Sequence, residues 1–133
     1  MIIRETRNQN EIKDILFHPE IYPIISGGKV LDKGAAILPM KDIIYLAGYE
    51  EKIFAVGCFH PFMDGMKYHP NILPDYKREY ARDFVQSTLN MVKSPLYIEI
   101  PKDRKDLYNF STKMGFKEFK HNRQTDRILM RLL

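Results

Sequence analysis

The sequence predicts a single α/β domain built on a mixed, mostly antiparallel twisted sheet flanked by helices. Three observations point there. Between residues 42 and 62, two runs rich in Ile, Tyr, Phe and Val flank the polar turn YEEK, the pattern of an antiparallel hairpin. From Lys77 onward, Ala81, Phe84, Val85, Thr88, Leu89 and Val92 recur every three or four residues, which marks a helix with one apolar face. The length of 133 residues suits one hydrophobic core and is too short for two independent ones.

The elements follow in order. Met1 to Glu5 reads as a short strand, and TRNQNEIKDILF then offers polar N-cap residues before Ile12, Ile15 and Leu16 at helical spacing. HPEIYPIISGG predicts a second, short helix, with Pro19 in its first turn and Gly27 and Gly28 ending it. Lys29 to Lys41 is irregular and is expected to be a buried loop or a short strand ahead of Pro39. After the hairpin, GMKYHPNIL is a further strand in which Lys67, His69 and Asn71 share one face and Tyr68, Pro70 and Ile72 the other. Pro70 cannot donate to a neighbouring strand, so this strand is expected at an edge, at a bulge or where two strands part. The long helix ends before Pro95, and LYIEI is a strand stopped by Pro101. DRKDLYNFSTKMGF gives another helix, with Leu107, Phe110 and Met114 on one face and Gly115 as a left-handed stop. Phe116 to Lys120, a polar turn and a final strand ending in Leu133 close the chain.

Hydrophobic residues make up 44% and charged residues 29%, as in ordinary packed proteins and unlike disordered or fibrous ones. The net charge of +4 suits an anionic partner. The cations are scattered, with no long basic run and no zinc-finger spacing, which argues against dedicated nucleic-acid binding. One cysteine, Cys58, rules out an intramolecular disulfide and a cysteine-based zinc site and points to a reducing, cytoplasmic compartment. Its apolar neighbourhood makes it a buried small hydrophobe rather than a nucleophile. No apolar run reaches the roughly 20 residues that span a membrane, and MIIRETRNQ lacks a signal-peptide core. No metal site is expected.

The stretch NILPDYKREYARDF, Asn71 to Phe84, joins a strand to a helix through a proline and a basic turn. Helix starts suit anions, because their first amides lack internal partners and the dipole favours negative charge. The element order βααβββαβαβ resembles the GNAT superfamily, the Gcn5-related N-acetyltransferases, over nearly the whole chain. NILPDYKREYARDF is similar to the motif that holds coenzyme A, and PKDRKDLYNFSTKMGFKEF is similar to the later motif that ends in Gly-Phe, here Gly115 and Phe116. Within the superfamily the chain most resembles the small GNAT-like proteins of tailed bacteriophages and prophages, through HPEIYPIIS, the GCF strand and the turn Leu73-Pro74-Asp75-Tyr76-Lys77.

The resemblance implies an acetyl-coenzyme A dependent N-acetyltransferase that passes acetyl directly to an amine on a small molecule or a protein. A phage assembly or host-interaction protein that keeps the fold without catalysis is the alternative. Asn71, Ile72 and Leu73 would line the pantetheine arm, and the amides of Lys77, Arg78, Glu79, Tyr80, Ala81 and Arg82 would face the pyrophosphate. The family's small residues fall on Tyr80 and Arg82, both bulky, with Ala81 small if the turn is one residue shorter. The family's acidic tyrosine and cofactor-contacting asparagine fall on Ser111 and Arg104, with Tyr108 one turn away as a substitute acid. His69, with an unperturbed pKa near about 6.5, is the candidate base. His60 comes second, ahead of Asp64 and Glu99.

Overall fold

The computed structural model describes residues 1–22 and 38–133. Among these the strands are β1 (Ile2–Glu5), β2 (Ile44–Tyr49), β3 (Ile53–Phe62), β4 (Gly65–Ile72), β5 (Leu96–Pro101), β6 (Lys117–Asn122) and β7 (Arg127–Leu132). The helices are α1 (Gln9–Leu16), α2 (Pro74–Met91) and α3 (Lys105–Lys113). The strands form one sheet in the order β1-β2-β3-β4-β5-β7-β6. Its β1–β2, β2–β3, β5–β7 and β6–β7 ladders are antiparallel and its β4–β5 ladder is parallel, the mixed sheet that the sequence predicts. Most of the expected short helix after α1 and most of the irregular stretch before Lys41 lie outside the described residues.

The chain divides into two compact units. The first comprises Met1–Phe59 and His69–Val92. Here the Asn8 side chain caps α1 by accepting from the Asn10 and Glu11 amides at 3.0 and 3.3 Å, satisfying donors a helix start leaves orphaned. Glu11 in turn accepts from the Thr6 and Tyr49 hydroxyls at 2.8 and 3.0 Å. Ile12, Ile15 and Leu16 pack on Tyr45 and Val56. At Gly48 the chain has no room for a side chain, because a Cβ there would lie 2.8 Å from the Phe84 ring.

The helix α2 begins at Pro74, three residues before the apolar repeat that announces it. Proline at the first helical position costs nothing, since its missing N–H would have no helical partner and its φ is already helical. The Leu73 amide before it donates to the Phe54 carbonyl at 2.9 Å, which ties the helix start to β3.

The second unit comprises His60–Tyr68 and Lys93–Leu133. Met63 turns the β3–β4 hairpin with φ 51°. The β4–β5 ladder holds two register pairs, Met66↔Leu96 and Lys67↔Tyr97, and Pro70 lies beyond it on an exposed stretch of β4. In α3 the buried positions are centred on Ser111 and the following Met114, at 6% and 8% exposure, while Leu107 and Phe110 are half-buried. Gly115 ends this helix at φ 102°, the expected left-handed stop.

Candidate functional site

The chemistry predicted for the first unit falls on the end of β4 and the start of α2. His69 is exposed and Asn71 half-buried, and the Asn71 side-chain Nδ2 donates to the His69 carbonyl at 3.3 Å. Ile72 is a core residue at 6% exposure, so only its backbone is available to a ligand. Leu73 is the N-cap of α2 and is half-buried.

The early helix start changes which amides an anion would meet. In an α-helix only the first four N–H groups lack an internal acceptor. Pro74 has no N–H, and the Tyr76 amide is spent on the Leu73 carbonyl at 2.9 Å. Only Asp75 and Lys77 can present amides there, and no side chain caps this end. The amides of Arg78, Glu79, Tyr80, Ala81 and Arg82 lie inside the helix, where its own carbonyls take them. The expectation that all six amides from Lys77 to Arg82 face a pyrophosphate is corrected on this ground. Lys77, Arg78, Glu79 and Arg82 are exposed, and Tyr80 and Ala81 half-buried.

The bulky residue at the expected glycine position has a defined place. The Tyr80 ring lies 5.2 Å from the Phe54 ring and 6.0 Å from that of Tyr76. Tyr76 stacks on Phe54 at 5.1 Å and 21°, and Phe84 meets Phe54 edge-on at 6.0 Å. Desolvation and the carboxylates of Glu50 and Glu79 push the Tyr80 phenol above its ordinary pKa. This aromatic column was missed in the sequence, although Tyr76, Tyr80 and Phe84 recur at every fourth residue and so share a helix face.

A cleft of about 410 Å³ opens in the same unit, lined by Asp14, His18, Lys52, Leu73, Asp75 and Tyr76 among others. That volume is within the range of small-molecule sites. Sequence spacing could not assemble it, because its walls come from three separate segments.

In the second unit the predicted residues have local partners. The Tyr108 hydroxyl donates to Glu118 Oε2 at 3.0 Å, and that carboxylate raises its pKa. Ser111 is buried, and its carbonyl accepts from the Met114 and Phe116 amides. The Arg104 guanidinium forks onto Asp106 with bonds of 3.0 and 2.9 Å, which holds the Asp106 carboxyl down at about 2. Asp64 accepts from Tyr97 and Arg131. Glu99 pairs with Lys67 at 3.2 Å and with Arg127 at 3.9 Å. In the first unit, burial pushes the Cys58 thiol up to about 12, which leaves it protonated and unreactive at neutral pH. Among the described residues no three His, Cys, Asp or Glu side chains group as metal ligands, and no helix is long and apolar enough to cross a membrane.

No protein-family model and no curated protein matches the chain. Solved structures match it over nearly its whole length. An aminoglycoside 6'-N-acetyltransferase from Enterococcus faecium is 18% identical, with 99% of this chain and 96% of that one covered and a TM-score of 0.66. The ribosomal-protein-S18-alanine N-acetyltransferase from Escherichia coli is 14% identical, with coverage of 98% and 92% and a TM-score of 0.64. A mutant spermidine N-acetyltransferase from Vibrio cholerae is 10% identical, with coverage of 99% and 92% and a TM-score of 0.69. The fold is therefore the GNAT-type acyl-CoA N-acyltransferase fold.

Proposed function

We propose that this protein is an acetyl-coenzyme A dependent N-acetyltransferase that acetylates an amine on a small molecule or a protein. The observation that carries the reading is the full-length likeness to three N-acetyltransferases whose acceptors are all amines. Fold alone does not fix chemistry, so the residues must fit the cofactor. The uncapped start of α2, with exposed Lys77 and Arg78 beside it, fits one phosphate group better than the longer amide cradle of the family. In this proposal the backbone of Asn71, Ile72 and Leu73 pairs with the pantetheine arm, and Lys77 and Arg78 neutralise the phosphates. Arg82 adds longer-range attraction. Arg104, committed to Asp106, contributes only after releasing it.

When bound, the cofactor supplies the acetyl thioester. His69 takes a proton from the acceptor amine, for which a base with a pKa near neutrality is suited. The acid for the departing thiolate is assigned to Tyr108 in preference to Ser111, whose burial takes it out of use. The 410 Å³ cleft is the candidate acceptor site. His69→Ala is expected to lower kcat/KM about 10²- to 10⁴-fold and to remove the acidic limb of its pH profile. Calorimetric titration with acetyl-coenzyme A decides the whole reading, and no heat of binding at millimolar cofactor would end it.

A second reading is supported by one observation, the helix that already begins at Pro74 and so leaves few amides open to a phosphate. In it the protein keeps the fold without catalysis and serves assembly or host interaction for a bacteriophage or prophage, in the host cytoplasm. It predicts neither cofactor binding nor acetyl transfer, and an unchanged melting temperature with acetyl-coenzyme A.

A further inference from the structure

The second unit carries 11 Lys and Arg against 6 Asp and Glu, so the chain's excess positive charge resides there. One face of its sheet belongs to α3. A Cβ at Gly115, just past that helix, would lie 3.1 Å from the Leu132 side chain, and Leu132 pairs with Leu96, Met130 with Ile98 and Ile128 with Ile100. Register partners share a face, so these six apolar residues lie on the α3 side. The other face carries Tyr97, Glu99, Arg127, Leu129 and Arg131, and α3 is the one helix among the described residues of this unit.

That second face has an apolar centre and a basic rim. Between Glu118 and Lys120 the β6–β7 register shifts. A bulge of this kind bends a strand and re-aims side chains; here it brings Phe119 beside Arg131 and Tyr97 while Lys120 pairs opposite Leu129. The Phe119 ring is 45% exposed, and Met63 at the β3–β4 turn is 65% exposed. The Arg131 guanidinium lies 5.4 Å from the Phe119 ring centre and 5.6 Å from that of Tyr97. Lys117 and Lys120 are exposed.

We propose that this face, centred on Phe119, docks an acidic segment of another protein that carries an apolar side chain as anchor. Aromatic residues, Met and Arg at the centre with charge at the rim are the composition of protein interfaces. Charge complementarity selects an acidic partner. Nucleic acid fits less well, because a single exposed ring gives little for successive bases to stack on.

The test uses fluorescence anisotropy on the full chain with three labelled probes of equal length. These are a Glu-rich peptide with a central Leu, its Gln-for-Glu counterpart, and a single-stranded oligodeoxynucleotide. The acidic peptide is expected to bind at least 10-fold tighter than the other two. Phe119→Ser and Lys120→Glu, each first shown to be folded by circular dichroism, are each expected to weaken it 5-fold or more, while Lys77→Glu leaves it unaltered. Equal binding of the acidic and Gln peptides, tighter binding of the oligonucleotide, or indifference to Phe119→Ser in a folded variant overturns the proposal. None of these outcomes depends on whether acetyl-coenzyme A binds.

Discussion

Two groups in the first unit are pushed up to about 12. Burial lifts the Cys58 thiol from 9.0 to about 12, and burial followed by the nearby Cys58 lifts the Tyr45 phenol from 10.0 to about 12. A raised folded-state pKa gives stability that is complete below the unfolded value and is lost as pH rises through the folded one. Chemical-denaturation midpoints are therefore expected to fall as pH climbs from 9 to 12, with Cys58→Ala removing the part that begins first. Held protonated, the half-buried Cys58 thiol is expected to react with a thiol reagent at pH 8 more slowly than a free cysteine does. Close packing gives a second residue-scale outcome. A Cβ at Gly65 would lie within van der Waals overlap of the Pro95 carbonyl oxygen, and backbone yields less readily than a side chain. Gly65→Ala is expected to destabilise by about 1–3 kcal/mol, measured by urea unfolding.

At the scale of elements, α2 shows where the sequence could be read and where it could not. Its apolar repeat, Phe84 to Leu89, is buried as periodicity requires. Its first turn carries only Tyr76 in that phase, which the apolar repeat does not count, so the repeat predicts a start near Lys77 and the proline signal at Pro74 goes unused. The β2–β3 and β6–β7 hairpins were legible because strand alternation and turn residues act locally. The buried phase of α3 was not, because Ser111 and Thr112 carry no hydrophobic signal and the packing that buries one of them comes from distant strands. The candidate site suffers most from this limit. A register difference of three residues at a helix start decides which amides are free, and the apolar repeat does not record it. The aromatic column tests how much of α2 depends on its docking. Phe54 is fully buried beneath Tyr76, Tyr80 and Phe84, so Phe54→Ala is expected to cost about 3–5 kcal/mol. Far-ultraviolet circular dichroism should show loss of helix along with the sheet.

At the scale of the molecule, ligand linkage is the most direct observable. A cofactor that binds only the folded chain adds about 2.7 kcal/mol of stability at a hundred times its dissociation constant, enough to raise the melting temperature by several degrees. The two compact units add a different constraint, because each is made of two chain segments and the segments alternate. During synthesis at roughly 5–20 residues per second, His60–Tyr68 emerges well before Leu96 and Tyr97, the residues that its Met66 and Lys67 pair with. A nascent chain that has reached Val92 holds every residue of the first unit, yet its β4 has β3 on one side and still lacks β5 on the other. Chains stopped there are expected to be cut by protease within residues 60–68, and chains extended through Leu132 to be protected. The order of synthesis thus leaves one stretch of this protein in the care of the ribosome exit or of chaperones until its last third is made.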